Sequence, residues 1–553
     1  MSGFSISIHL NLLQKGIASV SLHPANGKCN VKLRVVAKRA FVRCLVCRCY
    51  ATTKSLQVGG STHKNQVSSV VGSSDESQRR KSSGDDFEMK LEELLSEIKS
   101  MIRMGNKGDA IDLLEANYEA VKEQMDAGGK TVEEAAILDV IALGYMAVGD
   151  FKMVDSVLNM LNGIVHDLRD DQPLLEAILT HMGSMYSAIG SFENSMLSYK
   201  RVLEIIERNH GSNSTYLVLP LLGMAKSYGC AGRASKAIEI YHRTISIFES
   251  YFGAESNELV VPLNALGNIL IEEGKAEDAE CAFMRVVEIY TKLYGKDDKR
   301  VGIAMCSLAN AKCAKGDAES AIKLYSNALQ VLEHSDGINL DDSLLEKTRV
   351  DLAELLHVVG REKEGRKLLE ECLMITKKYK GEEDPTFVTH LTNLATSYSR
   401  SKNYVEAERL LRSSLQIMKR TVGPDDPSIT FAMLQLAVTL YNLKQDEEAE
   451  QLALEVLRVR EKAFGKASMP VGEALDCLIS IQKRKGGDDG EILELLKRNL
   501  SIQEKAFGHE SEQVVGTLKK IVFYMDKLGI KDQKFPFQRR LSLLRNKVLV
   551  NYP

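Results

Sequence analysis

Two short motifs in this sequence have residue types and spacings that could support chemistry. Cys44-x-x-Cys47 has the spacing of half a zinc site, but no second cysteine or Cys/His pair follows it to complete the four ligands of structural zinc. Phe464-Gly-Lys-Ala-Ser468 is similar to the end of a phosphate-binding loop, yet it lacks the earlier glycine. No HExxH occurs among the 11 histidines. The sequence therefore predicts no catalytic residue, no cofactor, no metal, no small-molecule substrate and no enzyme.

The other titratable groups are better explained by helices. His181, His357 and His390 fall within repeated helical segments, where we expect packing or surface groups more than ligands. Three acidic runs occur where such segments start, at 382–384, 425–426 and 447–448. Carboxylates at a helix start offset the exposed N–H groups and the helix dipole, which accounts for these runs without acid/base chemistry.

The sequence contains a repeat, and this repeat predicts the helices that position all these groups. Glycine recurs about every 42 residues in two parallel series. The first series is Gly149, Gly190, Gly232, Gly274, Gly316 and Gly360, continued in register by Lys402 and Lys444. The second series is Gly253, Gly295, Gly337, Gly381, Gly423, Gly465 and Gly508. Two breaks per period predict two helices per unit, with the first series at the hairpin turn and the second in the loop between hairpins.

Residues between the glycines repeat as well. The first helix of several units carries the pairs Leu266-Gly267, Leu308-Ala309, Leu394-Ala395 and Leu436-Ala437. The second helix carries Ala237, Ala279, Ala321, Ala407 and Ala449, followed four residues later by Tyr241, Phe283, Tyr325 and Leu411 in four of the five. Tyr145, Tyr186, Tyr228 and Tyr398 share an aromatic position on the first helix. We expect the small residues to let two helices approach closely and the large ones to fill the space between units.

This pattern resembles the tetratricopeptide repeat (TPR), and its longer period is similar to the kinesin-light-chain subclass. The closest stretch is 384–426, with Leu391-Thr-Asn-Leu-Ala395 and Tyr404-Val-Glu-Ala-Glu408. The resemblance implies an all-α fold, a right-handed α-solenoid of tandem TPR hairpins, and a protein-binding function. It covers about nine units over 131–511, with a degenerate hairpin at 87–130 and capping helices at 512–553. The kinesin light chain pairs with its motor heavy chain through a long coiled coil, which 87–126 is too short to form, so motor association is not predicted.

The N-terminal 74 residues differ from the rest in charge. They contain no Asp or Glu, ten Lys or Arg, and many Ser, Thr and Val residues, which is typical of an organelle transit peptide. High serine content favours a plastid (chloroplast) over a mitochondrion, and a disordered basic tail in a cytoplasmic protein is the remaining alternative. Residues 75–86 are predicted to be a linker. No stretch approaches the roughly 18 apolar residues of a membrane span.

The net charge of −3 less those ten positive charges leaves −13 for residues 75–553. An acidic body disfavours nucleic-acid binding, in which phosphate neutralisation dominates the affinity. Six cysteines of this body are dispersed on apolar helix faces, which predicts small buried side chains in a reducing compartment. They are Cys230, Cys281, Cys306, Cys313, Cys372 and Cys477.

The expected partners are other proteins, held along a concave wall lined by the first helix of each unit. The side chains expected there are Asn264, Asn268, Asn310, Thr392, Asn393, Thr396, Gln435 and Asn442. Carboxamides can pair with the backbone of a partner segment, although the same residues could merely hydrate the wall. The resemblance would place Lys, Asn and Arg in a clamp for a C-terminal carboxylate. Here the corresponding residues are Asn264, Ser307 and Asp351, so that clamp is not expected.

Three functions stay open. An organellar interaction scaffold agrees best with the basic N-terminal segment and the acidic repeats. A cytoplasmic kinesin-light-chain-like adaptor for cargo or the cytoskeleton is the main alternative. An organellar RNA-binding helical-repeat factor is disfavoured, because such arrays have a shorter period and a basic groove.

Overall fold

The computed structural model describes residues 75–550 except 127, 129 and 336, and side chains from 87 to 544 except 88. The predicted transit peptide and Cys44-x-x-Cys47 lie outside the described residues. The described part contains 22 α-helices and no β-strand, which confirms the prediction of an all-α fold of tandem hairpins. It forms two compact units, 75–317 and 318–550.

The helices of residues 75–317 are α1 (Asp75–Arg103), α2 (Lys107–Asp126), α3 (Val132–Val148), α4 (Phe151–Asp167), α5 (Leu175–Ile189), α6 (Phe192–His210), α7 (Val218–Cys230), α8 (Ala234–Phe252), α9 (Val260–Glu272), α10 (Ala276–Tyr294) and α11 (Lys299–Lys315). Those of residues 318–550 are α12 (Ala318–His334), α13 (Ser343–Val358), α14 (Glu362–Tyr379), α15 (Pro385–Arg400), α16 (Tyr404–Thr421), α17 (Thr430–Asn442), α18 (Asp446–Phe464), α19 (Met469–Lys485), α20 (Asp489–Phe507), α21 (Glu512–Lys527) and α22 (Lys531–Val550). Odd-numbered helices are the first helices of hairpins and even-numbered helices the second. Short 3-10 turns at Thr215–Leu217, Asn257–Leu259 and Pro427–Ile429 precede α7, α9 and α17.

The turn after each first helix from α3 onward contains a residue with a left-handed backbone. Gly149, Gly190, Gly232, Gly274, Gly316, Gly360, Gly486 and Gly529 have φ between 70° and 91°. Lys402 and Lys444 adopt the same conformation, with φ of 60° and 65°. The prediction that these two lysines continue the glycine series is therefore confirmed, although a side chain at positive φ is strained.

Loops between hairpins combine a glycine at positive φ with a helix cap. Every glycine of the second series has φ between 79° and 93°. Asp298, Asp342, Asp384 and Asp426 each accept a hydrogen bond from the backbone N–H two residues later, at 2.7–2.8 Å. Such caps satisfy N–H groups that have no partner within the helix. The helix-start prediction is thus confirmed for Asp384 and Asp426.

Packing within each unit follows the repeated small and large residues. The five second-helix alanines have no exposed surface, and Tyr241, Phe283, Tyr325 and Leu411 are all buried. Tyr199 of α6 lies between Gly183 of α5 and Gly223 of α7 so closely that a Cβ on either glycine would overlap its ring. Gly267 has the same relation to Phe283. Glycine in these first helices therefore makes room for an aromatic ring of a neighbouring second helix.

The N-terminal end of the described chain differs from the expectation. Helix α1 begins at Asp75, so residues 75–86, predicted to be a linker, are helical. That segment is polar and carries no apolar periodicity from which a helix could be read. Helices α1 and α2 both pack on α3, 13 of whose 17 residues are buried. At the other end, Leu541 and Leu544 of α22 are buried, while Phe535 stays 68% exposed.

Candidate protein-binding wall

The exposed sides of successive first helices are termed the first-helix wall, taken separately in each unit. In residues 75–317 it carries three of the predicted residues: Asn268 and Asn310, which share one position of the repeat, and Asn264, which lies one helical turn before Asn268. Asn268 and Asn310 are exposed, and Asn264 is half-buried. The side chains of Asn264 and Asn268 form no hydrogen bond with any described residue. Their amide groups are therefore available to a partner.

In residues 318–550 the prediction for Thr392 is wrong. Thr392 is 7% exposed, and its hydroxyl donates to the carbonyl of Val388 at 3.0 Å. The same oxygen lies 3.2 Å from the Ser414 hydroxyl of α16. Because a threonine and a serine face each other at this hairpin contact, Thr392 belongs to the packing between α15 and α16. It cannot touch a partner on the wall.

The four other predicted residues of this unit are half-buried. Thr396 donates to the carbonyl of Thr392, and Asn442 donates through Nδ2 to the carbonyl of Val438 at 2.8 Å. These donors are used within their own helices. The side chains of Asn393 and Gln435 form no hydrogen bond with a described residue, so they are the amides of this unit that remain available.

Charged residues on the wall of α13 and α15 were not predicted as binding residues. Burial raises the pKa of Asp351, and Lys347 only partly opposes it. The pKa of Glu354 is raised by loss of hydration and by Asp351, although this side chain still reaches water. Burial lowers the pKa of Arg400, which lies near Glu354. A partner segment at α13 and α15 thus meets charge.

Apolar side chains also reach the surface of first helices. Val261 of α9 is 43% exposed, and Ile303 at the equivalent position of α11 is 41% exposed. Both lie six residues before the small-residue position of the repeat, a spacing from which they could have been found. The wall of α9 and α11 therefore presents apolar groups beside the amides of Asn268 and Asn310.

The three histidines are structural, as expected. His181 Nδ1 lies 2.6 Å from Asp139 Oδ2, joining α5 to α3 in the interior. Burial alone would lower the pKa of His181, but the charge of Asp139 and its hydrogen bond to His181 together outweigh burial and raise the pKa. His357 Nε2 lies 2.5 Å from the Ser397 hydroxyl. His390 is 2% exposed, on α15.

The cysteine prediction holds only in part. Cys372 and Cys477 are buried, and burial raises the pKa of both thiols to about 12. Cys306 and Cys313 are half-buried. Cys230 and Cys281 are exposed, so the prediction that they are buried is wrong. Cys230 is the last residue of its helix, next to the turn, where apolar periodicity does not imply burial.

Two kinds of site were searched for in the described part of the chain. No group of three or more His, Cys, Asp or Glu residues there is arranged to hold a metal ion. No helix there is both long and apolar enough to cross a membrane.

Residues 216–292, 258–334 and 386–462 match the family model described as tetratricopeptide repeat. The chain therefore contains TPR units in both of its compact parts. No curated protein sequence matches the chain significantly.

Solved structures with similar folds include one whose description refers to a kinesin light chain. Nearly identical TPR-like repeats from Podosopora anserina, assigned by their description to a kinesin light chain, are 22% identical over 37% of this chain and 95% of that chain, with a TM-score of 0.34. BtubC (BKLC) from P. vanneervenii is 22% identical over 42% of this chain and 92% of its own, with a TM-score of 0.37. The apo quorum sensor NprR from B. thuringiensis is 16% identical over 67% of this chain and 99% of its own, with a TM-score of 0.40.

Proposed function

We propose that this protein is a non-catalytic interaction scaffold of a plastid, which binds segments of partner proteins along its first-helix wall. TPR arrays generally serve protein binding, and the chain carries TPR units in both compact parts. The observation that supports the wall as the binding surface is its set of side-chain amides without internal partners. They are Asn264, Asn268, Asn393 and Gln435.

An amide at such a position can both donate to and accept from the backbone of a partner segment. Each such hydrogen bond contributes only about 1 kcal/mol net. Two lost together therefore correspond to roughly tenfold or more in affinity. The neighbouring Val261 and Ile303 supply apolar contact area that the amides lack.

The wall is tested by affinity capture from plastid extract with the chain that starts at residue 75. Asn264→Ala with Asn268→Ala probes the first unit, and Asn393→Ala with Gln435→Ala probes the second. We expect at least tenfold weaker capture for one or both pairs, with unchanged helicity and melting. Asn194→Ala is the matched control, because Asn194 is exposed on the second helix α6, off the wall. Equal capture by both pairs and the control would exclude the first-helix wall as the binding surface.

The plastid location is supported by the acid-free composition of residues 1–74. A fusion of these residues to a fluorescent protein is expected to enter plastids. Mass spectrometry of the protein from its source should find a mature N-terminus between Cys44 and Ser74. A mature protein that begins at Met1 or Ser2 contradicts import with cleavage, and the cytoplasmic adaptor then becomes the better proposal.

A further inference from the structure

A second surface lies between the second helices α16 and α18 and shares no residue with the first-helix wall. A groove of about 450 Å³ opens there. Its floor consists of Leu415 of α16, Leu436 of α17 and Leu452 of α18. Leu415 and Leu436 are 6% and 3% exposed, so the apolar floor lies deep and is continuous with the core.

The two walls of this groove carry opposite charges. Arg412 and Lys419 project from α16, and Glu448 and Glu455 project from α18. Each pair is seven residues apart, which corresponds to about 10.5 Å along a helix. The groove is thus a basic row and an acidic row on either side of an apolar floor.

One end of the groove is already neutralised. The Arg412 guanidinium lies 2.9 Å from Glu448 Oε1 and 2.9 Å from Glu408. At the other end, Lys419 and Glu455 form no ion pair or hydrogen bond with a described residue. This end therefore offers one cation and one anion, on opposite walls, to whatever enters.

The preceding groove lacks this arrangement. At the equivalent positions one hairpin earlier, α14 carries Glu370 and Lys377, and α16 carries Glu406 and Ser413. The α14 wall therefore carries both signs of charge, and the α16 wall carries one acid and no base to oppose it. The opposite charges on the two walls of the α16–α18 groove are therefore not a feature of the repeat itself. General solvation of the second helices does not explain them.

We propose that the α16–α18 groove is a docking site for an amphipathic helix of a partner protein. The partner helix has one apolar row, with acidic residues along one flank and basic residues along the other. Its apolar row packs on the three leucines, its acidic flank meets Lys419 and its basic flank meets Glu455. A helix places side chains on both sides of its apolar row, so that one flank can face each wall of the groove, whereas the side chains of an extended strand alternate between two opposite faces.

The experiment uses the chain from residue 75 and three cross-linked helical peptides with the same leucine row. One peptide has a glutamate flank and a lysine flank, one has two glutamate flanks, and one has two lysine flanks. We expect the mixed peptide to bind most tightly by fluorescence anisotropy. Lys419→Glu or Glu455→Lys alone should weaken it about fivefold, since each replaces an attraction by a repulsion near the surface.

The double change Lys419→Glu with Glu455→Lys should restore binding of the mixed peptide, because the peptide can then enter in the opposite direction. A merely structural role for these side chains would give no such rescue. Lys377→Glu in the preceding groove is the matched control and should leave binding unchanged. Failure of all three peptides to bind, or equal binding by every variant, overturns the proposal. So does self-association of the peptide-free protein that depends on Lys419 and Glu455, because a second copy then occupies the groove.

Discussion

Replacing Lys402 and Lys444 by glycine is expected to stabilise the chain, although it removes two side chains. Both lysines stand where the repeat has glycine, with φ of 60° and 65°. Both are exposed, and neither side chain forms an ion pair or hydrogen bond with a described residue. Little is therefore lost with the side chain itself.

The magnitude follows from two opposing terms. A residue with a Cβ in the left-handed region costs roughly 1–2 kcal/mol. Glycine loses more backbone freedom on folding, which costs roughly 0.5–1 kcal/mol. Each Lys→Gly change should therefore raise the local unfolding free energy by roughly 0.5–1 kcal/mol. The turn hydrogen bonds remain, such as the one from Asn403 N to Tyr398 O at 2.9 Å.

The assay is native-state hydrogen exchange of the amides in α15–α18, because a repeat array need not unfold in one step. Lys402→Ala and Lys444→Ala are the controls, since alanine removes the same charge but keeps the strain of positive φ. Gly360→Lys, in the preceding turn at φ of 83°, should reduce protection by a similar amount. If alanine stabilises as much as glycine does, the charge and not the backbone was responsible, and the reasoning from φ is refuted.

Three other predictions concern the interior. Ala279 has no exposed surface, so Ala279→Leu should overpack the interior and lower the free energy of unfolding by roughly 1–3 kcal/mol. The loss of hydrogen-exchange protection should be centred on 215–342 and not be uniform along the chain. The raised pKa of His181 stabilises the fold fully below the ordinary pKa of histidine, about 6.5, and this stability is lost as pH rises through the raised value. The exchange protection of α3 and α5, corrected for intrinsic exchange, should therefore fall as pH rises above about 6.5. His181→Gln should remove this pH dependence. Asn499→Val should raise the local free energy of unfolding by roughly 1–2 kcal/mol, measured by hydrogen exchange of α20, because both polar atoms of Asn499 are buried without a partner. The preceding hairpin has Val456 at this position. A loss of stability would show that the amide is satisfied in solution.

The hairpins could be predicted from the sequence because each turn depends on a local property. A positive φ favours glycine. The spacing of the glycine series alone then identified Lys402 and Lys444 as turn residues. The helical extension of α1 to Asp75 could not be predicted, since residues 75–86 have no apolar face. The ends of a helix depend on its packing as well as on the apolar pattern of its sequence. A polar segment has no apolar pattern from which its packing could be predicted.

The binding residues were predictable only to the level of a helix face. Asn268 and Asn310 share one position of the repeat and are exposed, as their phase indicated. Thr392 shares the position of Asn264, yet it is buried because Ser414 of the neighbouring helix leaves room for its hydroxyl. The α16–α18 groove could not be predicted, since Lys419 and Glu455 lie 36 residues apart and each looks like a solvated surface charge in the sequence.

Tyr199, enclosed by Gly183 and Gly223, limits how this array can evolve by duplication of its units. The positions that correspond to Gly223 in the next two hairpins are Ala265 and Ser307. A copy of either later hairpin inserted after α6 would place a Cβ where the ring of Tyr199 lies. Such a duplication would need a compensating change of Tyr199. We therefore expect the early units to be inherited as a group in their present order, because each unit is matched to its neighbour.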